Sequence, residues 1–153
     1  MKLRKATIND LETIQSLYKK LSEFELKFTD EFDEDWAYSK KGRAFFERRL
    51  KGYKSIVLIA EEDRKLVGFI LVHIANTIMR HKKKIAVLEY LYVEENMREK
   101  GVGTKLLDEV KKMLRRKKIS RLKVPVFSAN INAISFYKKN GFDDFTSILE
   151  ANI

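Results

Sequence analysis

The residues best suited to chemistry lie between Leu88 and Leu107, LEYLYVEENMREKGVGTKLL. Arg98, Glu99, Lys100, Gly101, Val102, Gly103 and Thr104 form an Arg-x-x-Gly-x-Gly turn. Before it, Val87 to Val93 is apolar or aromatic at every position except Glu89, the pattern of a buried central strand. After it, Val102, Leu106, Leu107, Val110, Met113 and Leu114 recur at helical spacing. A strand that feeds a glycine turn at a helix N-terminus presents free backbone N–H groups and the positive end of the helix dipole. That is a cradle for an anion, with phosphate the natural occupant. The glycines let the backbone approach the anion closely.

Two phosphate-loop patterns fail on these residues. A Walker A loop needs Gly-Lys followed by Ser or Thr, whereas the order here is Gly103-Thr104-Lys105. A dinucleotide fingerprint needs a third glycine where Leu106 stands, and an acid about 20 residues on, where Arg121 and Lys123 stand. An αβ turn without a ligand is the remaining alternative on the loop alone. A second stretch, Asn130-Ile-Asn-Ala133-Ile-Ser-Phe136-Tyr137-Lys-Lys-Asn140-Gly141-Phe142, begins 27 residues after Gly103, with room between for one helix and one strand. Together the two stretches resemble the paired signatures of the GNAT family of N-acetyltransferases, which bind acetyl-coenzyme A. The first matches its pyrophosphate loop. The second matches its Asn-x-x-Ala-x-x-Phe-Tyr motif followed by Gly-Phe.

The resemblance implies transfer of an acetyl group from a thioester to a primary amine by direct attack. It places the pantetheine arm of acetyl-coenzyme A as an extra strand along Leu91, Tyr92 and Val93, and the diphosphate on Arg98 to Thr104. Asn130 would hydrogen-bond the arm, with Ala133, Phe136 and Tyr137 beside it. Tyr137 is the expected general acid, since a phenol is protonated at neutral pH and can donate to a departing thiolate; the alternative is a tyrosine buried for packing. Glu89 is the expected general base, acting through water, because it is the lone charge in an apolar strand where burial would tune it. The alternative is a carboxylate facing solvent or paired with a lysine. Leu88-Glu89-x-x-x-Val93 also resembles the diamine and polyamine acetyltransferase branch. Two departures stand out: Glu95 replaces a proline common in the family, and Pro125 occupies a position where branches acetylating protein N-termini often carry a glutamate base.

The acceptor would meet Thr29 to Trp36, TDEFDEDW, which holds five acids in eight residues of a chain with net charge +10. Such a local negative field attracts cationic amines. Phe32, Asp33, Glu34 and Trp36, with Glu89, are the expected acceptor-binding residues. Aromatic rings there could stack on an ammonium or cover its aliphatic chain. A solvated acidic loop is the alternative. The expected acceptor is a polyamine or other small cationic amine, with a peptide amine second. A coenzyme A-binding regulatory module without turnover is the competing class.

Bulk composition bounds the remaining classes. The chain has 153 residues, enough for a single domain spanning 1–153, with 44% hydrophobic and 35% charged residues. It lacks cysteine, which removes disulfides, thiolate ligands and thiol nucleophiles, and isolated His73 and His81 have no metal-ligand spacing. No metal is expected. No apolar run approaches the ~20 residues of a membrane span, and the polar start is unlike a signal peptide, so a cytoplasmic location is expected without membrane partners. Eleven Lys and Arg between Arg98 and Lys123, against Glu99, Asp108 and Glu109, concentrate the positive charge. Much of it clusters at a helix end, where cations favour the dipole, without the exposed aromatics of a single-strand reader. Nucleic acid is therefore not an expected partner, while a homodimer is an admissible assembly.

The elements that must position these residues follow from periodicity. Lys2 to Thr7 reads as a strand. A long helix then runs from a cap at Thr7 or Asn9 to near Phe28, with Leu11, Ile14, Leu17, Tyr18, Leu21 and Phe24 inward. Lys40 to Lys51 is helical. Ser55 to Ala60 and Leu66 to Ile78 form a hairpin, with Gly68 marking a bulge or close approach. Ser120 to Val126 is a strand containing Pro125, Asn130 to Asn140 the last helix, and Phe142 to Ile153 two short terminal strands. The alternation is α/β. The resemblance specifies a mixed, mainly antiparallel sheet with a splayed parallel strand pair and about four helices.

Overall fold

The computed structural model describes residues 1–153. Five strands form one sheet in the order β1 (Lys2–Lys5), β2 (Ser55–Glu62), β3 (Lys65–Asn76), β4 (Lys84–Val93) and β5 (Leu122–Lys123). All neighbours are antiparallel except β4 and β5, which run parallel. The helices are α1 (Leu11–Glu25), α2 (Lys40–Lys51), α3 (Val102–Arg116) and α4 (Ile131–Lys139). The α/β class, the mixed sheet and the four helices match the expectation.

Each sheet face has its own core. Ile56, Leu58, Ala60, Ile70, Val72, Ala86 and Leu88 pack under Val102, Leu106, Leu107, Val110 and Leu114 of α3. On the opposite face, Val57, Ile59, Phe69, Leu71 and Tyr92 meet Leu11, Ile14, Leu17 and Tyr18 of α1 and Phe46 of α2. Alternation along β2 and β3 sends successive side chains to opposite faces, so both faces of the central strands are apolar and read as continuous hydrophobic runs.

β4 breaks that alternation. Leu71 pairs with Tyr90 and Val72 with Leu88, leaving Glu89 as an extra residue without a partner in β3. The bulge reverses the faces beyond it: Ala86 and Leu88 lie in the α3 core, whereas Tyr90 and Tyr92 turn to the α1 face and Leu91 and Val93 to the α3 face. A bulge bends its strand and raises the local twist. Pairing with β5 is confined to Ala86 with Leu122 and Val87 with Lys123, and it ends just before Glu89. The edge of β4 from Glu89 to Val93 is thus open on that side, and the sheet splits there into a V.

Three expected elements are shorter or absent. β5 spans two residues rather than 120–126, because Pro125 has no N–H for the ladder and the splay removes its partner. No strand forms over 142–153, where Phe145, Ile148 and Leu149 are exposed. A 3-10 turn at Ile8–Asp10 precedes α1, and of the two expected caps it is Thr7 that forms the capping box, with Asp10. The bulge between β2 and β3 falls at Val67. Gly68 beside it supplies close approach, since a Cβ there would lie 2.8 Å from the Tyr92 carbonyl oxygen.

Candidate active site

At one end of the V lies the turn into α3. Gly101 caps the helix in the left-handed region, φ 77°, and Glu99 also has positive φ, 62°. Met97 and Arg98 donate back to Glu94 and Glu95, but the backbone N–H groups from Glu99 through Thr104 have no protein acceptor. A run of unpartnered donors at a helix N-terminus fits a diphosphate. Gly101 adds room, because a Cβ there would meet nothing within 4 Å. Gly103 carries a packing role in addition to its place in the loop. A Cβ on Gly103 would lie 3.3 Å from Cζ of Phe136 and 3.9 Å from Cγ2 of Val93. Its missing side chain lets α4 pack on α3, while its backbone N–H stays among the unpartnered donors of the cradle. The Arg98 Nε donates to the Val93 carbonyl at 3.0 Å, tying the turn to the open edge of β4.

Across the V stands α4, with no fully buried residue. Asn130 caps it: its Oδ1 accepts from the Ala133 N–H at 3.2 Å, and its amide Nδ2 has no protein acceptor. Phe136 and Tyr137 pack on the α3 core, Tyr137 edge-on to Phe136 and Phe142 at 5.2 and 5.4 Å between ring centres. Burial pushes the Tyr137 phenol well above its ordinary value, and the charge of Glu25 adds to the shift.

The structure corrects the environment expected for Glu89. Both its oxygens are held by Arg49 of α2, from Nε at 2.9 Å and Nη2 at 2.8 Å, so it is a paired anion rather than a lone buried one. Arg49 also lies over the Phe45 ring, 4.5 Å from its centre.

The expected acceptor residues separate into two groups. Trp36 turns into the α1 face, against Tyr18, Phe45 and Phe46. Phe32 instead sits on Phe127, 5.6 Å between centres, and Phe127 stacks on Phe28 at 5.5 Å. Asp33 and Asp35 are exposed; Asp33 holds the Asp35 N–H in a turn, and Asp35 pairs with Lys19 at 2.7 Å. Phe127, Phe28 and Phe24 thereby join the end of α1 to the segment after β5, a wall that sequence reasoning missed. Phe24 carried only a helix-core signal, and Phe127 stands in no motif.

Sequence reasoning also missed Glu25. This last residue of α1 is half-buried, with no ion pair or side-chain hydrogen bond, and burial pushes its carboxyl up to about 7. Its charge raises the phenols of Tyr18, Tyr90 and Tyr137. No three His, Asp or Glu side chains gather as metal ligands, and no helix is long and apolar enough to cross a membrane.

A sheet split beside an anion cradle, with a phenol opposite the open strand edge, is an acyl-coenzyme A transferase architecture. The acetyltransferase (GNAT) family pattern matches residues 14–142. The spermidine N(1)-acetyltransferase of Thermoplasma acidophilum is 30% identical over 149 residues, covering 93% of this chain and 88% of that protein. The uncharacterized N-acetyltransferase YhfO of Bacillus subtilis is 28% identical over 149 residues, covering 97% of this chain and 94% of that protein. A predicted acetyltransferase from Clostridium acetobutylicum, solved with acetyl-coenzyme A, superposes with a TM-score of 0.80 at 21% identity, covering 99% of this chain and 95% of that one; at that identity the likeness is one of fold. The chain belongs to the acetyltransferase (GNAT) family and is an acetyl-coenzyme A-dependent acetyltransferase acting on an amine.

Proposed function

We propose that the acceptor is a small cationic amine of the polyamine class and that Tyr137 is the general acid. The observation that carries the acid role is a phenol packed between Phe136 and Phe142 on the same core that receives Leu91 and Val93 of β4, where burial keeps it protonated. A hydroxyl with a raised pKa stays neutral across the physiological range and donates to a leaving thiolate. Acetyl-coenzyme A supplies the activated acyl group. The unpaired N–H groups of Glu99 to Thr104 hold its diphosphate, and the edge at Leu91, Tyr92 and Val93 receives the pantetheine arm as a strand would be received. A backbone N–H on that edge polarises the thioester carbonyl. The free amide of Asn130 hydrogen-bonds the arm in this reading, with Ala133 and Phe136 packing beside it.

The acceptor class is supported by the acids at 30–35 beside Phe32, and by the 30% identity to a spermidine acetyltransferase. Phe32, Asp33 and Glu34 belong to this acceptor surface, while Trp36 supports it from the core. Glu89, held by Arg49, acts in this reading as a fixed anion beside the slot. The test is thiol release with a panel of amines and mass detection of the product. Turnover of spermidine well above that of neutral arylalkylamines is expected; turnover confined to a peptide amine would overturn the acceptor class.

A further inference from the structure

Glu25 stands where the two faces of the sheet meet. Tyr18 and Tyr90 belong to the α1 face, with rings 4.7 Å apart, whereas Tyr137 packs on the α3 face. An intact sheet would insulate one face from the other. The Glu25 charge nevertheless acts on phenols of both, because the chain leaving α1 packs against the segment that follows β5. The stacked Phe28 and Phe127 fix that end of α1 against the chain beyond β5.

The surroundings suit an ammonium on an aliphatic chain. Tyr18, Ser22 and Glu25 recur at helical spacing and form one polar stripe on α1. The Ser22 hydroxyl is fully buried, and its side-chain neighbour for hydrogen bonding is the Tyr18 phenol. No lysine or arginine pairs with Glu25; Lys27, close by in sequence, lies 4.5 Å from the Phe24 ring centre, and the cation nearest Glu89 is taken by that residue. The titratable groups on which the Glu25 charge acts are thus Tyr18 on α1, Tyr90 on β4 and Tyr137 on α4, all with raised pKa, while Glu89 adds a further negative charge at Tyr90. A half-buried carboxylate among phenols and phenyl rings, without its own cation, has the chemistry of a receptor for one.

We propose that Glu25 is a catalytic residue that receives the acceptor's ammonium and takes its proton. This rests on the reading of the acceptor as a cationic amine. Glu25 accepts one proton from the ammonium, and the neutral nitrogen forms a bond to the acetyl carbonyl carbon. As the thioester C–S bond breaks, Tyr137 gives its proton to the departing sulfur. The second nitrogen proton returns to the Tyr137 oxygen, and Glu25 releases its own to solvent. The products are the acetylamide, the free thiol and one proton. A carboxyl held near 7 is matched to this work at neutral pH.

The experiment measures kcat and KM for spermidine against pH in wild type, Glu25→Gln and Glu89→Gln. Acetyl-coenzyme A affinity and melting temperature are followed alongside. Glu25→Gln should lower kcat by about 10²–10⁴-fold and abolish the kcat/KM inflection near pH 7, with acetyl-coenzyme A affinity retained. The same variant should melt no lower than wild type at pH 8, which separates lost chemistry from lost fold. A Glu25→Gln enzyme that keeps the inflection, or loses only KM, would overturn the assignment. So would an inflection removed by Glu89→Gln instead. Wild type that binds acetyl-coenzyme A but acetylates no cationic amine would overturn the acceptor reading as well, a result distinct from either of those.

Discussion

Replacing Gly103 by valine distinguishes two accounts of the cofactor loop. Its place in the Arg-x-x-Gly-x-Gly turn implies that a side chain would block the diphosphate. The geometry says that the side chain would press on Phe136, with Cβ already 3.3 Å from Cζ before the two methyl groups are added. Overpacking of this kind costs about 1–3 kcal/mol, offset by a few tenths of a kcal/mol from replacing glycine in a helix. At roughly 2–4 °C per kcal/mol for a chain of this size, melting should fall by about 2–12 °C. Phe136→Ala removes the opposing ring, so the double variant should lie above the sum of the two single effects by about 1 kcal/mol or more, within the range of coupling for residues in contact. Acetyl-coenzyme A affinity should weaken in Gly103→Val through displacement of α4, which carries Asn130 and Tyr137, and recover in part in the double variant. The assays are thermal unfolding and titration of acetyl-coenzyme A for all four proteins. Additive stabilities, with affinity lost equally in Gly103→Val and in the double variant, would refute the contact and leave direct obstruction of the diphosphate as the cause.

Tyr137→Phe should reduce kcat by about 10²–10⁴-fold with little change in acetyl-coenzyme A affinity; because burial raises the phenol, wild-type kcat should show no loss of the acid form at the ordinary tyrosine value. Glu25 should also mark the stability profile. Below pH 4.5 its carboxyl is protonated in both states; between 4.5 and about 7 only the unfolded chain ionises, so stability falls as pH rises through that window and levels above it. Solvent reaching the carboxyl reduces the effect to roughly 1–2 kcal/mol, and a urea titration series in wild type and Glu25→Gln should show the slope only in wild type. Neutralising Asp33, Glu34 and Asp35 together should lower kcat/KM for spermidine, less so at high salt, while sparing a neutral arylalkylamine; equal loss on both amines would leave these acids as solvated surface. Arg49→Met strands the half-buried Glu89 carboxylate and should destabilise by about 1–3 kcal/mol, less than for a fully buried pair because solvent reaches both side chains, read by chemical denaturation, with Arg49→Met/Glu89→Gln recovering much of the loss.

The sequence alone disclosed what depends on neighbours along the chain. The apolar run before Arg98, the glycine at a positive-φ helix cap, the helical spacing of α3 and the Asn130-to-Phe142 motif are all local patterns, and each is found where periodicity placed it. Family and fold class follow from those patterns in order. Glu89 was also legible as an anomaly in its strand, but the reason for it was not. The residue is a bulge, and its partner Arg49 comes from a helix far back in the chain. Only the register of β4 against β3, with Leu71 opposite Tyr90 and Val72 opposite Leu88, could reveal that. Gly103 likewise reads as a phosphate glycine until α4 is seen against it. Glu25 had no signal at all, being one acid among many at a helix end. It becomes distinctive because tertiary packing buries its carboxyl without supplying a cation, and lets its charge act on tyrosines from three elements. Such a position is a product of packing between segments remote in sequence, and no window along the chain contains them.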